Sequence, residues 1–461
     1  MPSIAGRPPH GRTRRSNFHL SVRRALSPTT EHRRRALIVA AIITVMVLLT
    51  WPAAVPAVRD MVTREAAPGA RLLHPAAYLV LSPVYDVMDA LTLLSVGQLV
   101  ALVISLALVY LAWRAWRWRQ EGRRPRPWRE LRLALLALGA FVAFCAVGVL
   151  APRPMAALAL DDRDAVKVDV HSHTNASHDG RADFDARDNI DWHRDAGFDA
   201  AYITDHKSFD GASEATRLNP RRAGDGLVML SGLEFIDNHN HINALGATAA
   251  DSAWIRVEAR RQRLGWPAHE RGSAVFIQTI PENLERIPIP DRSSGRGLAG
   301  IELSDGAPRG IEQSQRDRAL ILRIADSLDL AVVAGSNNHG WGRTAVAWSV
   351  LRIPGWREMA PEELGAAIEA HIRTERRGAV QVIERRSPDP GSSRLALTAT
   401  LPAVIWNLLV TLSGAQRISW IIWSWILAAA VLLYAARRDS KRAKCDRQAV
   451  EPMKREGAGI V

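Results

Sequence analysis

With 461 residues, 48% of them hydrophobic, the chain has room for two or three domains, or for one large domain with membrane segments. A formal charge of +13 would fit a nucleic-acid binder if the excess ran through the folded part, but residues 151–416 hold 31 Lys and Arg against 36 Asp and Glu. The basicity lies in three patches, 1–35, 114–132 and 437–456, each beside a long apolar run. That pattern excludes a DNA-binding face and marks the cytoplasmic flanks of membrane helices.

In chain order, the basic tail 1–35 leads into Ala36–Val55, which carries no charge and is long enough to cross a bilayer as an uncleaved signal anchor. Pro56–Ala90 is mixed, and its HPAAYLVLSPVYDVMDA stretch predicts an amphipathic segment on the outer surface. Leu91–Trp113 and Leu133–Leu150 are the second and third spans of a membrane region 36–150, joined by a loop of paired Trp and Arg that suits the cytoplasmic interface. Residues 151–395 have the composition of a water-exposed domain, placed outside the cytoplasm by three preceding spans. In 396–436, Leu397–Leu412 is short and holds Pro402 and Asn407, which predicts an interfacial helix, and Ile418–Ala436 is the fourth span, returning the basic tail 437–461 to the cytoplasm. Cys145 falls in the third span and Cys445 in the tail, so the outer domain needs no disulfide.

Within the outer domain, AVKVDV, AAYIT, GLVMLSG, SAVFIQTI, GLAGIEL and DLAVVAGS are brief, apolar and bounded by Gly, Asp or Asn, as buried strands are. DFDARDNIDWHRDAGF between the first two reads as a helix. Repeated β-then-α units with polar residues at strand ends predict an α/β barrel with its site at the C-terminal rim. His171 and His173, two apart at the end of a strand, share a face and can reach one metal ion. Asp179, followed by Gly180, comes eight residues after His171, and three further histidines (His206, His241, His339) and Glu234 lie downstream, each at the end of its own apolar run.

Taken in order, HSHTNASHDG, ITDHK, GLEF, HINALG, IELSDG and AGSNNHGWG resemble the polymerase and histidinol phosphatase (PHP) superfamily of metal-dependent hydrolases over about Val166–Trp348. The resemblance implies a distorted (β/α)7 barrel with one to three divalent ions, Zn, Mn or Fe, which the apolar runs above would attach to about four transmembrane helices. It implies that His171 and His173 bind the first ion, that Glu234 bridges the first and second, that His241 serves the second, and that Asp179, His206 and His339 hold the third. Two positions depart from the pattern. Asn337 stands where an aspartate on the first metal is expected, and Ile280-Pro281 stands where many members have His-Pro. An amide oxygen holds a dication less firmly than a carboxylate and cannot take a proton from water.

Asp205 and His178 are candidates for proton transfer, Asp205 equally for orienting a ligand histidine. Glu302 and Asp305 are spare carboxylates or turn formers. His193, His239, His269 and His371 read as surface or satisfied residues, a reading open for His178 too. The expected activity is hydrolysis of a small-molecule ester, most simply a phosphate ester, by metal-activated water, in a protein anchored in the lipid bilayer with no nucleic-acid partner. The alternative is a degenerate PHP domain that binds a ligand without turnover.

Overall fold

The computed structural model describes residues 28–122, 126–237, 240–251, 274–280, 284, 297–388 and 393–456. His239, His269, Pro281 and the first part of the basic tail lie outside the described residues. Twelve strands are described: β1 Val58–Asp60, β2 Ala70–Leu73, β3 Ala157–Leu160, β4 Ala165–Ser172, β5 Ala200–Ile203, β6 Val228–Asp237, β7 Asn240–Leu245, β8 Val275–Gln278, β9 Gly300–Asp305, β10 Ala331–Gly335, β11 Ala347–Arg352 and β12 Gln381–Arg385. The six apolar runs singled out in the sequence form β4, β5, β6, β8, β9 and β10.

Ten of these strands make one sheet in the order β1-β12-β11-β4-β5-β6-β7-β8-β9-β10. The expected alternation holds where β4, β5 and β6 pair in parallel and where β8, β9 and β10 do. It is broken by the antiparallel run β6-β7-β8 and by antiparallel β11, β12 and β1 beside β4. The sheet curls until the chain after β10 meets the end of β4: the Asn337 N–H donates to the His171 carbonyl (2.8 Å) and the His173 N–H to the Asn338 carbonyl (3.0 Å). Asp169 fastens the same seam, its Oδ1 accepting from the N–H groups of His171 (3.1 Å) and Ser336 (3.0 Å). The result is a mixed α/β fold with a curled ten-stranded sheet. Because β1 pairs with β12, a domain boundary at residue 151 leaves out a strand that the sheet contains.

Both faces of the sheet are covered, which is why its strands read as continuous apolar runs. In β5, Ala200 and Tyr202 join one buried cluster, and Ala201 and Ile203 join another. Each fully buried aliphatic side chain contributes roughly 1.5–3 kcal/mol. One buried group works against the core at neutral pH. Glu369, on the helix Pro361–Glu375, accepts a hydrogen bond from the Tyr202 hydroxyl (3.2 Å), and burial pushes its carboxyl up to about 7 against the pull of Tyr202 and Arg373. A carboxyl whose folded value lies above its unfolded one binds its proton more tightly in the folded state, so stability is lost as pH rises from the unfolded value through about 7. The loss expected is on the order of 3 kcal/mol. In Glu369→Gln the melting temperature is expected to vary less between pH 5 and 8 than in the parent, and an unchanged slope would show that Glu369 is not the group responsible.

Among the described residues, three helices are long and apolar enough to cross a membrane: Val96–Gln120, Pro127–Leu150 and Gly414–Lys441. The first expected span, Ala36–Val55, is only partly helical. The helix Pro28–Leu49 stops before Trp51-Pro52, so the apolar part that begins at Ala36 is shorter than the ~20 residues a crossing requires. Along this helix Thr44 Oγ1 accepts from Trp425 Nε1 (3.1 Å), and Arg33 pairs with Asp439 (2.8 Å). Thr400–Thr411 is a short apolar helix, anchored where Asn407 Nδ2 donates to the Arg386 carbonyl (3.1 Å). The amphipathic stretch of the sequence forms the helices Ala76–Val80 and Ser82–Thr92, with Tyr78, Asp86 and Asp89 buried.

Candidate metal centre

The site is assembled from strand ends. His171 lies near the end of β4 and His173 just beyond it. Asp179 is in the following loop, His206 follows β5, Glu234 is in β6, His241 in β7, and His339 follows β10. Two turns need glycine. A Cβ at Gly180 would run into the Thr174 carbonyl, and Gly340, at φ +87°, would meet the Phe184 ring at 2.6 Å. Thus the residue after Asp179 and the residue after His339 allow both loops to fold tightly against the sheet end.

Curling the sheet brings the seven donors together. The Nε2 atoms of His171 and His173 lie 3.0 Å apart, and each is 3.1 Å from Glu234 Oε2. His206 Nε2 is 3.3 Å from the same oxygen, while Glu234 Oε1 is 2.6 Å from His241 Nδ1. Asp179 Oδ2 lies 3.2 Å from His339 Nε2 and 3.5 Å from His206 Nε2. Donors at about 2.0–2.1 Å from a tetrahedral ion stand roughly 3.3 Å from one another, so most of these separations are those of ligands around one small dication. Three groups of three donors result: His171, His173 and Glu234; His173, Asp179 and His339; and His206, Glu234 and His241. Since one imidazole nitrogen serves one ion and a carboxylate can serve two, Glu234 is the residue able to bridge. His206 stands between the two carboxylates, 3.3 Å from Glu234 and 3.5 Å from Asp179, within reach both of the group with His241 and of Asp179, which the resemblance implied it joins.

Electrostatics follow from this crowding. Burial raises Glu234, but His171 and the hydrogen bonds of His171, His173 and His241 outweigh it and hold the carboxyl well below its ordinary range. Burial drives His173 down to about 3 against the pull of Glu234. A neutral imidazole beside an ionised carboxylate is the state in which both bind a cation. His173 Nδ1 is buried with no hydrogen-bond partner among the described residues. The donor set fits a centre of divalent ions.

Glu302, weighed in the sequence as a spare ligand, is fully buried, and its Oε1 faces His171 Nδ1 at 2.9 Å. It therefore orients the ring whose other nitrogen faces Glu234, the kind of contact whose loss changes metal affinity by ~10–100-fold. The two departures from the family pattern sit beside Glu302 and Asp305. The Ile280 N–H donates to Glu302 Oε2 (3.1 Å), and Asn337 Nδ2 donates to Asp305 Oδ2 (3.0 Å). Asn337 also has φ +44°, a left-handed conformation that asparagine tolerates better than most residues, and its Oδ1 is buried without a partner among the described residues.

The proton-transfer candidates separate clearly. Asp205 is fully buried with both oxygens engaged by Thr174, at 2.6 Å from its N–H and 2.7 Å from its hydroxyl, and it stands 4.0 Å from His173 Nδ1. It braces the turn after β4. His178 is largely exposed, 3.9 Å from Asp179 and edge-on to His206 at 5.1 Å, so it is the candidate with room for a substrate. His193 is buried and satisfied by Asp169 (2.8 Å) and the Asn189 carbonyl (2.8 Å).

No family model matches the chain, and no curated protein does. Among solved structures it is similar to a two-domain protein from Bacteroides vulgatus described as containing a PHP-like metal-dependent phosphoesterase, at 16% identity and TM-score 0.27, over 46% of this chain and 63% of that one. A protein from Bifidobacterium adolescentis described as a metal-dependent phosphoesterase matches at 18% identity and TM-score 0.24, over 38% of this chain and 88% of that one. An amidohydrolase from Chromobacterium violaceum, solved with bound sulfate and no metal, matches at 16% identity and TM-score 0.27, over 43% of this chain and 96% of that one. The chain thus spans under two thirds of the first of these proteins, and the reading of function rests on the site itself.

Proposed function

We propose that this chain is a membrane-anchored metal-dependent hydrolase of the PHP type, with a distorted barrel that acts on phosphate esters. The observation that carries the reading is the convergence of His171, His173, Asp179, His206, Glu234, His241 and His339 at ligand-to-ligand separations. Bound Zn, Mn or Fe would supply an activated water and stabilise the charge that develops on the ester oxygens. The chain's own contribution is placement. Glu234 holds the donors on both sides of it, Glu302 fixes the His171 ring, and His178 stands at the open side, where it can pass a proton to the departing alcohol. Incubating the purified full-length protein with Zn²⁺, Mn²⁺ or Fe²⁺ and a panel of phosphomonoesters and diesters tests this reading. Phosphate release that a chelator abolishes is expected, and no release with any ion would overturn it.

A second reading, binding without turnover, is favoured by Asn337, whose amide is engaged by Asp305. Asn337→Asp discriminates between the two. The new carboxylate would face Asp305 at about the present 3.0 Å separation, beside a group that burial already pushes above the usual carboxylate range. If an ion lies within reach of position 337, metal affinity and rate rise together. If position 337 serves only the turn, the melting temperature falls and activity is no higher, which is the result the hydrogen bond to Asp305 predicts.

The domain is assigned to the extracytoplasmic side because the Arg-rich loop between Val96–Gln120 and Pro127–Leu150 and the basic tail after Gly414–Lys441 both carry the excess of cytoplasmic segments. Reporter fusions after residue 390 are expected to be active outside the cytoplasm and fusions after residue 445 inside. The reverse pattern would refute the assignment.

A further inference from the structure

The loop that follows His339 and the helix that follows Asp305 are hydrogen-bonded to the ends of two helices long and apolar enough to cross a membrane. Gly342, three residues after His339, donates its N–H to the Val149 carbonyl at the end of Pro127–Leu150 (3.0 Å), and its own carbonyl accepts from Trp192 Nε1 (3.1 Å). Thr344 holds the same loop to Thr92 (2.9 Å) and Arg153 (2.8 Å), just before the helix Val96–Glu121 and just after Pro127–Leu150. On the other side, Gly97 at the start of Val96–Glu121 donates to Glu312, on the helix Pro308–Leu328 that follows Asp305 (3.2 Å). Between the helices and these loops lies an apolar cavity of about 280 Å³, walled by Leu99, Val100, Phe144, Cys145, Val149 and Trp341. Its domain end is formed by Gly306 and Gly342, next to Asp305 and close after His339.

What fills such a cavity follows from where it is. Its walls are two helices whose outer faces present Ile104, Leu108, Leu135 and Leu136 more than half exposed, so the surrounding medium is hydrocarbon. Trp341, 53% exposed at the rim, is a residue type that settles at the boundary between hydrocarbon and headgroups. Two residues of extended chain span at most ~7 Å, so the backbone of Trp341, at the rim of the cavity, and that of the donor His339 are neighbours on one loop. A water-soluble ester would have no use for an apolar recess in that position. A lipid would place its tail there and its headgroup over the metal donors.

Resting on the phosphate-ester reading above, we propose that the ligand of this centre is a chain-bearing phosphate ester drawn from the bilayer, with its hydrocarbon tail in the cavity between Val96–Glu121 and Pro127–Leu150. The test uses the full-length protein in nanodiscs, loaded with Zn²⁺, and two non-hydrolysable probes, methylphosphonate and dodecylphosphonate. Val100→Trp and Cys145→Trp fill the cavity from opposite walls. Dodecylphosphonate is expected to bind each variant at least about tenfold more weakly than the parent, while methylphosphonate binds all three alike. Partition into the nanodisc raises the local concentration of the long probe equally for parent and variants, so it cannot mimic this result. If both variants bind dodecylphosphonate as the parent does, the proposal is overturned. Should a variant lose both probes through misfolding, the parent decides the matter by itself: a dodecylphosphonate with a photoreactive tail is expected to label Val100, Phe144 or Cys145, and labelling confined elsewhere would overturn the proposal. Binding of neither phosphonate overturns this proposal together with the phosphate-ester reading. Binding without any hydrolysis of matching esters overturns only turnover.

Discussion

Replacing Glu234 with alanine is expected to abolish hydrolysis, with a loss of at least about 1000-fold, because it removes the carboxylate shared by two of the three donor groups. Its Oε2 faces His171, His173 and His206 and its Oε1 faces His241, so no single neighbour can replace it. The same substitution should lower the stability of the metal-free protein. His171 is buried, and although burial alone would lower it, Glu302 and Glu234 hold the ring well above its ordinary value, so removing Glu234 takes away one of its two carboxylate partners. Breaking a buried pair from one side costs about 3–5 kcal/mol. Phosphate release and thermal unfolding in detergent, each with and without chelator, check the two effects. A variant that keeps its rate would show that the ions, if bound, sit elsewhere.

Asp89→Ala is expected to be the most destabilising substitution outside the metal centre. Asp89, 2% exposed, pairs with Arg153 (2.6 Å) and Arg385 (2.9 Å) and accepts from the hydroxyls of Tyr78 (3.0 Å) and Thr344 (2.9 Å). Removing it leaves two buried guanidinium groups without the carboxylate they share, each already with one Nη1 that lacks a partner among the described residues. The cost should be about 3–5 kcal/mol, and Asp89→Asn, which keeps the acceptor but not the charge, should fall between. Because Arg153 also holds Thr344, the loop carrying His339 should loosen as well, which metal titration of the variant would register as weaker binding. Denaturant unfolding within about 0.5 kcal/mol of the parent would contradict this account.

The candidate donors that the structure brings together were picked out in the sequence because most of them follow or end an apolar run, and period-two spacing places His171 and His173 on one face. How they are shared was not legible. That depends on the curl of the sheet, which sets His206 between Glu234 and Asp179. Glu302 was visible in IELSDG only as a spare carboxylate, since nothing in a single chain shows which strand will lie across from His171. Strands β7, β11 and β12 escaped notice because they are short and mixed, and β1 because it has three residues and pairs with β12, at the far end of the chain. The N-terminal span was overread, since absence of charge through Ala36–Val55 says nothing about Pro52 ending the helix. Asp86 and Asp89 looked like the polar side of a surface helix, because Gln416, which donates to Asp86, and Arg153 and Arg385, which pair with Asp89, come from distant parts of the chain.

The central claim is that seven side chains form a centre for divalent ions, and its most direct test is the metal content of the full-length protein. The protein would be purified in mild detergent, reconstituted with Zn²⁺, Mn²⁺ or Fe²⁺, freed of loose ions and analysed by inductively coupled plasma mass spectrometry beside Glu234→Ala. The account predicts at least two tightly bound equivalents per chain in the parent and at most one in the variant. Less than half an equivalent of every ion in the parent, or equal content in the two proteins, would contradict it.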